Sequence, residues 1–166
     1  MKKIMSLALV LLTVMLAVMP AFAPEAEAAA AVKIYYVNAK GVRLRSEPYG
    51  YNDANIIGKK NKGDMCLLLS KKGNWYNVLT EDGEKGWIFN KYLSYYGVAE
   101  KTSVGMVTSD KLNVYKTYST RAKKINRLTK GEIVIVKRYN ATWAEITSLK
   151  GGTVGYVTVK DLKRAF

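Results

Sequence analysis

After residue 30 the apolar positions fall in short alternating runs, each broken by turn residues. Val42 and Leu44 alternate with Arg43 and Arg45, and Leu112 and Val114 alternate with Asn113 and Tyr115. Lys62-Gly63-Asp64 and Lys130-Gly131-Glu132 are turns into the next strands, whose inner faces take Cys66 and Leu68, and Val134 and Val136. After a further turn (71–74 and 139–142) come strands opened by Trp75 and Trp143, with Tyr76 and Val78, or Ala144 and Ile146, pointing inward. Glu81-Asp82-Gly83-Glu84 and Lys150-Gly151-Gly152 have the composition of hairpin tips. The last strands run through 87–89 and 156–158, and a short 3₁₀ turn is expected before Leu93 and Leu162. A period of two without any sustained helical period predicts an all-β chain.

The same landmarks occur twice in the same order. Val37, Val42-Arg43-Leu44-Arg45, Ile57, Lys62-Gly63, Trp75, Gly86-Trp87 and Leu93 correspond to Val107, Leu112-Asn113-Val114-Tyr115, Ile125, Lys130-Gly131, Trp143, Gly155-Tyr156 and Leu162. Length differs only between Pro48 and Ile57 and just before Gly86, both presumed loops, as expected of two copies of one fold. Several short strands in so small a unit close most economically as a barrel, which also limits exposed edges. The expected organisation is a signal peptide over 1–30, a first domain over 33–93, a linker over 94–103 and a second domain over 104–166.

The first thirty residues have the pattern of an export signal. Lys2 and Lys3 precede an uncharged, largely apolar run over 4–19, Pro20 closes it, and alanine-rich cleavage triplets follow. An uncleaved membrane anchor is the competing reading, since the run approaches the length of a span; the short core and the alanine-rich tail favour cleavage. No second apolar run follows, so the mature form is expected to be secreted and not membrane-spanning. A small exported protein often relies on disulfides. The single cysteine, Cys66, cannot form an internal one and is expected to be a buried structural thiol.

Charge changes the picture further. The formal net charge is +14, and residues 99–166 hold fourteen basic side chains against five acidic ones. Arg121, Lys123, Lys124, Arg127 and Lys130 form a dense run suited to polyanions; solubility alone is the plainer explanation.

At this point the landmarks resemble a known family. Val42-Arg43-Leu44-Arg45-Ser46-Glu47-Pro48, Ile57-Gly58, Lys62-Gly63-Asp64, Asn74-Trp75-Tyr76-Asn77-Val78 and Gly86-Trp87-Ile88-Phe89-Asn90-Lys91-Tyr92-Leu93 are similar to the bacterial SH3-like (SH3b) domain. The second copy departs more, with Tyr115-Lys116-Thr117-Tyr118 in the opening segment, Tyr156 for Trp87 and Asp161 for Tyr92. The resemblance implies two tandem SH3-like β-barrels that tether exported bacterial proteins to peptidoglycan. Proline-rich recognition is not implied, because Phe89 stands where eukaryotic SH3 domains carry a groove proline.

Catalytic chemistry is poorly supplied. The chain has no histidine, which removes Ser-His and Cys-His catalysis and the usual zinc-hydrolase sites. Glu81, Asp82 and Glu84 lie on an expected hairpin tip, where solvated carboxylates have little to tune them. No phosphate loop or metal-ligand spacing occurs, so no cofactor, no metal and no enzymatic activity are expected.

Binding is the remaining chemistry. Of twelve tyrosines and three tryptophans, those at repeat landmarks have packing as their first explanation. Tyr49, Tyr51 and Asn52 lie on the loop extended in the first copy, with Tyr118 as counterpart, and loop aromatics can stack on sugars or stem peptides. The expected ligand cleft lies between that loop and Trp75, Trp87 and Tyr92. Arg43 and Arg45, on the outer face of their strand, either bind carboxylates bidentately or are solvated charges. Together these features predict an exported, wall-associated binding protein for peptidoglycan or anionic wall polymers, with no specific nucleic-acid partner. The alternative is an adaptor or regulator docking a secreted wall enzyme.

Overall fold

The computed structural model describes residues 31–100 and 103–166. The expected signal segment, 1–30, lies outside the described residues. The first half forms β1 (Ala31–Val37), β2 (Val42–Arg45), β3 (Ile56–Lys60), β4 (Met65–Lys72), β5 (Trp75–Thr80), β6 (Lys85–Phe89) and β7 (Leu93–Glu100), with a 3₁₀ turn at Asn90–Tyr92. The second forms β8 (Val104–Val107), β9 (Leu112–Tyr115), β10 (Lys124–Leu128), β11 (Ile133–Tyr139), β12 (Trp143–Ser148), β13 (Val154–Thr158) and β14 (Leu162–Arg164), with its 3₁₀ turn at Val159–Asp161. Each set makes one antiparallel seven-stranded sheet, ordered β3-β2-β6-β5-β4-β1-β7 and β10-β9-β13-β12-β11-β8-β14. The two orders are the same topology.

Each sheet curls over its own inner face. Val42 and Leu44 near one end of the order meet Tyr35, Val37, Cys66, Val78, Ile88 and Leu93 in a single buried cluster. Val107, Leu112, Val114, Val134, Ile146, Val157 and Leu162 do the same in the second half. The landmark glycines mark where the sheet crosses itself most closely. A Cβ on Gly86 would lie 2.8 Å from the Arg45 carbonyl oxygen and the Leu44 side chain, and one on Gly155 would lie 2.6 Å from Val114. Closure nevertheless stops short, which corrects the expectation of closed barrels. β3 and β7 end the first sheet, β10 and β14 the second, and no pairing joins those ends among the described residues. Cys66 is buried in the first core, and burial pushes its thiol up to about 12, in keeping with an inert side chain.

The expectation of independent units joined by a linker is corrected more strongly. Residues assigned to the linker continue as β7 and pair with β1 as far as Ala31 and Glu100. A third apolar cluster then spans both halves: Val32, Ile34, Leu67 and Leu79 from the first pack with Val104, Ile133 and Leu149 from the second. Strict alternation therefore fails in β4 and β5, where Leu67 and Leu79 are fully buried beside Cys66 and Val78 on the opposite face. Both faces of these strands are covered, one by their own core and one by the neighbouring half.

Polar contacts complete the junction. The Ile133 backbone N–H donates to the Glu81 carbonyl at 2.9 Å, and Lys150 Nζ meets Asp82 Oδ1 at 2.9 Å. The backbones approach so closely that a Cβ on Gly83, itself at φ +84°, would lie 2.5 Å from the Gly131 oxygen. The Lys150–Asp82 pair is well exposed, and such pairs contribute about 0–1 kcal/mol; the apolar cluster dominates.

Leu79→Ala, which leaves both private cores intact, is expected to cost about 2–5 kcal/mol. In urea, the Trp143 emission in the second half should shift together with that of Trp75 and Trp87. A second test uses Glu81, whose buried carboxyl accepts a 2.8 Å bond from the Met65 N–H. Burial pushes its pKa up, with smaller contributions from Asp64 and Asp82. A raised acid binds more protons folded than unfolded, so its ionisation costs stability as pH rises from the ordinary glutamate range through the raised value. Glu81→Gln should therefore lose less stability than the parent across that interval, measured by urea unfolding at a series of pH values.

Candidate functional site

β5, β6 and the 3₁₀ turn that follows β6 build a cleft on the outer face of the first half. Trp75 opens β5, and its register partner across the ladder is Phe89 at the end of β6. Their rings meet edge to face at 5.2 Å. Tyr92, on the 3₁₀ turn, supplies the next aromatic wall while its other side packs on the first core. The cleft holds about 310 Å³ and is completed by Lys40, Gly41, Val42, Arg43, Arg45 and Lys91. Lys91 Nζ sits 4.8 Å from the Tyr92 ring and 5.6 Å from that of Phe89, so the cation rests on the aromatic wall. Among the described residues no acidic side chain lines the cleft. Aromatic walls ringed by lysine and arginine suit a ligand with an apolar face and an anionic group.

The two arginines have different duties. Arg43 is half exposed and pairs with Asp53 at 2.9 Å. Arg45 was expected on the open face beside it, but the loop over residues 46–55 folds across and buries it. Its Nη1 donates to the Asn52 carbonyl at 2.7 Å and to Asn55 Oδ1 at 2.5 Å, and Nη2 lies 3.7 Å from Asp53. A register shift between Leu44 and Arg45 breaks the strand's alternation at this position. Arg45 therefore anchors the extended loop and borders the cleft with a guanidinium already engaged. Bidentate capture of a ligand by Arg45 is corrected accordingly.

The loop aromatics stand apart from the cleft lining. Tyr49 and Tyr51 stack at 6.3 Å, with Tyr51 96% exposed. Gly50 between them lies over Trp75, where an added Cβ would be 3.5 Å from the indole. Asn52 is spent on the loop itself, its Oδ1 accepting from the Ala54 N–H. Trp87 is half-buried on β6 and is not part of the lining. Of the residues expected at the cleft, Trp75, Tyr92, Arg43 and Arg45 come together. Lys40, Phe89 and Lys91 were not foreseen as binding residues; Phe89, two residues from Trp87 on a strand, and Lys91 beside Tyr92 carried the available signals.

In the second half a smaller cleft of about 250 Å³ is lined by Tyr118, Tyr139, Asn140, Trp143, Glu145 and Tyr156. Tyr118 stands edge-on to Tyr156 at 5.8 Å, and Trp143 edge-on to Tyr115 at 5.7 Å. Arg121, Lys123, Lys124, Arg127 and Lys130 are all exposed, and Lys124 and Arg127 lie on the edge strand β10. Exposed charges there also discourage edge-to-edge pairing with other chains. Among the described residues no helix is long and apolar enough to cross a membrane.

No protein-family model matches the chain. The chain is 28% identical over 116 residues to the "Putative N-acetylmuramoyl-L-alanine amidase YrvJ" of Bacillus subtilis (strain 168). That match covers 64% of this chain and 22% of the relative's length. Among solved structures, NlpC2 from Trichomonas vaginalis is 13% identical at a TM-score of 0.35, covering 82% of this chain and 49% of that one. An NlpC/P60 family protein from Bacillus cereus ATCC 10987 is 14% identical at 0.35, covering 78% and 55%. The expectation that the chain stands outside enzymes is corrected by the first of these, since the relative is named as an amidase.

The geometry separates the two arginines experimentally. Arg45→Ala strands two loop oxygens and is expected to cost about 1–3 kcal/mol. Arg43→Ala removes an exposed pair and should cost about 0–1 kcal/mol, both read from chemical denaturation.

Proposed function

We propose that the chain is an exported, cell-wall-associated binding unit. It holds peptidoglycan, or an anionic polymer attached to it, and serves an amidase-class wall hydrolase. The cleft at Trp75, Phe89 and Tyr92, ringed by Lys40, Arg43 and Lys91, is the observation that carries this reading. The relative is named for an amide bond between an N-acetylmuramoyl group and L-alanine, a junction of sugar and peptide. A cleft that pairs aromatic surface with cations suits the peptide side of that junction. The resemblance of both halves to bacterial SH3-like domains supports the same assignment, as does the apolar, alanine-ended pattern of residues 1–30.

Energetically the grip rests on two contributions. Aromatic surface removed from water gives about 25 cal/mol per Å². Charge-assisted hydrogen bonds from Lys40, Arg43 and Lys91 select carboxylate over neutral groups. The wider field of the +14 chain speeds encounter with an anionic wall and is screened by salt, whereas contacts inside the cleft are screened less. Because the halves share a core, a polymer engaged by one half meets the other at a set spacing and high effective concentration.

Sedimentation with purified sacculi tests the assignment. The protein should pellet with sacculi at low salt and retain part of that binding at high salt. Trp75→Ala should weaken binding about tenfold, equivalent to ~1.4 kcal/mol. Complete recovery in the supernatant at low salt would end the proposal, and loss of all binding with salt would reduce it to nonspecific charge attraction.

A further inference from the structure

We propose that the edge strand β10 and the loop before it hold a linear phosphodiester polymer, gripped by Lys116, Arg121, Lys123, Lys124, Arg127 and Lys130. The inference rests on the wall-binding assignment and deepens it by giving the anionic polymer a surface of its own, apart from the first cleft.

The distribution of charge carries it. Between Lys111 and Lys130, seven of twenty residues are lysine or arginine and none is acidic. The equivalent stretch of the first half, from Gly41 to Lys62, has five cations against Glu47 and Asp53. There the cations are engaged internally: Arg43 and Arg45 with Asp53, and Lys60 with Asp82 and Glu84. The second half has Asn113, Tyr115 and Leu128 at those three positions, and its cations stand instead on the loop and the edge strand. All six are exposed, and none enters an ion pair among the described residues. The acids of this half lie elsewhere. Glu132 is buried and accepts from Thr129, Asp161 accepts from Thr158, and Glu145 is the register partner of Arg138. Asp110 precedes β9, at the end away from the loop.

Charges placed for solubility alone have no reason to oppose others of their sign. The Lys116 N–H donates to the Lys123 carbonyl at 2.9 Å, continuing the ladder of Tyr115 and Lys124, so these two lysines stand opposite each other. Like charges so placed destabilise a hairpin. The first half makes the same backbone bond between Ser46 and Asn55 at 2.8 Å, with no charge on either side chain. An anion between the ammonium groups relieves the repulsion, so binding recovers what folding loses there. Shape then selects the ligand. β10 ends its sheet, with one backbone edge unpaired among the described residues. Lys124 and Arg127, register partners of Tyr115 and Asn113, flank that edge on one side, and Lys123 flanks it on the other. From Lys123 to Arg127 the rise of a strand spans about 13 Å, and Lys130 extends the row. An open row of cations suits an extended polymer with a charge on every repeat. A phosphodiester stays ionised across the physiological pH range and offers two free oxygens to the fork of Arg121 or Arg127.

The test measures binding of soluble poly(glycerol phosphate) to the full chain over a range of salt concentrations. Affinity should fall linearly with salt on logarithmic axes. Lys123→Asn/Lys124→Gln/Arg127→Gln should bind about tenfold more weakly and flatten that slope by about 2, near ~0.7 for each charge removed. Lys33→Gln/Lys72→Gln/Lys85→Gln makes the same change in net charge on exposed first-half lysines outside the cleft. It should bind within about twofold of the parent, because distant charges are screened. Lys123→Asn alone should raise Tm at low salt while weakening the polymer. No binding at low salt, equal losses in the two triple variants, or a lower Tm for Lys123→Asn would each overturn the inference. Equal affinity for polyglutamate, or tighter binding of single-stranded DNA, would overturn it as well. Sacculi stripped of phosphodiester polymer should still sediment the protein through the first cleft. If they do while poly(glycerol phosphate) gives no response, this inference fails and the wall assignment stands. If intact sacculi are ignored as well, both fall.

Discussion

Packing of Leu67 and Leu79 against Ile133 and Leu149 is the contact on which the rest of the molecule depends. A curled single-layer sheet of this size has a small core, and small cores are marginal by themselves. Covering the outer face of β4 and β5 with the neighbouring half adds apolar burial where an isolated unit would expose leucine to water. The added burial also has a geometric consequence. It converts two repeats, which could have swung on a tether, into one body with a cleft on each half. A polymer that bridges both clefts therefore loses little orientational freedom beyond its own, which favours tight binding from individually weak sites.

Duplication supplied the scaffold, and divergence the chemistry. The two sheets keep the same strand order, the same glycine crossings at Gly86 and Gly155 and the same 3₁₀ turns. The outer faces do not match: one is aromatic and cationic, the other aromatic with an amide and a carboxylate. Core positions are held by packing, where a change of one methylene is felt, whereas outer-face positions of β2, β5 and β6 change at little cost in stability. That asymmetry explains how the fold stays constant while the sites differ.

Much of this was legible in the order of residues. Period-two alternation located β2, β4, β5 and β6 and their counterparts β9, β11, β12 and β13, whereas β1, β3, β8, β10 and β14 were not placed and β7 was read as linker. Trp75 was identifiable as a cleft residue because it recurs at a landmark, as Trp143, and Tyr92 because it stands in the closing segment that resembles the SH3-like domain. Three features were not legible. Leu67, Leu79 and Ile133 interrupt the alternation, and one chain of local patterns carries no sign that a second half covers that face. Arg45 reads as an outward strand charge until the extended loop is seen to close over it through Asn52 and Asn55. Edge pairing is a property of long-range geometry, so strand number alone could not say that β3 and β7 stay unpaired.

The shared core can be tested through rotational diffusion. Backbone ¹⁵N relaxation measured separately over residues 31–100 and 104–166 should give one correlation time, that of a single body of the combined mass. Two shorter and unequal correlation times would show halves that tumble on their own, and the fixed two-cleft grip would go with them.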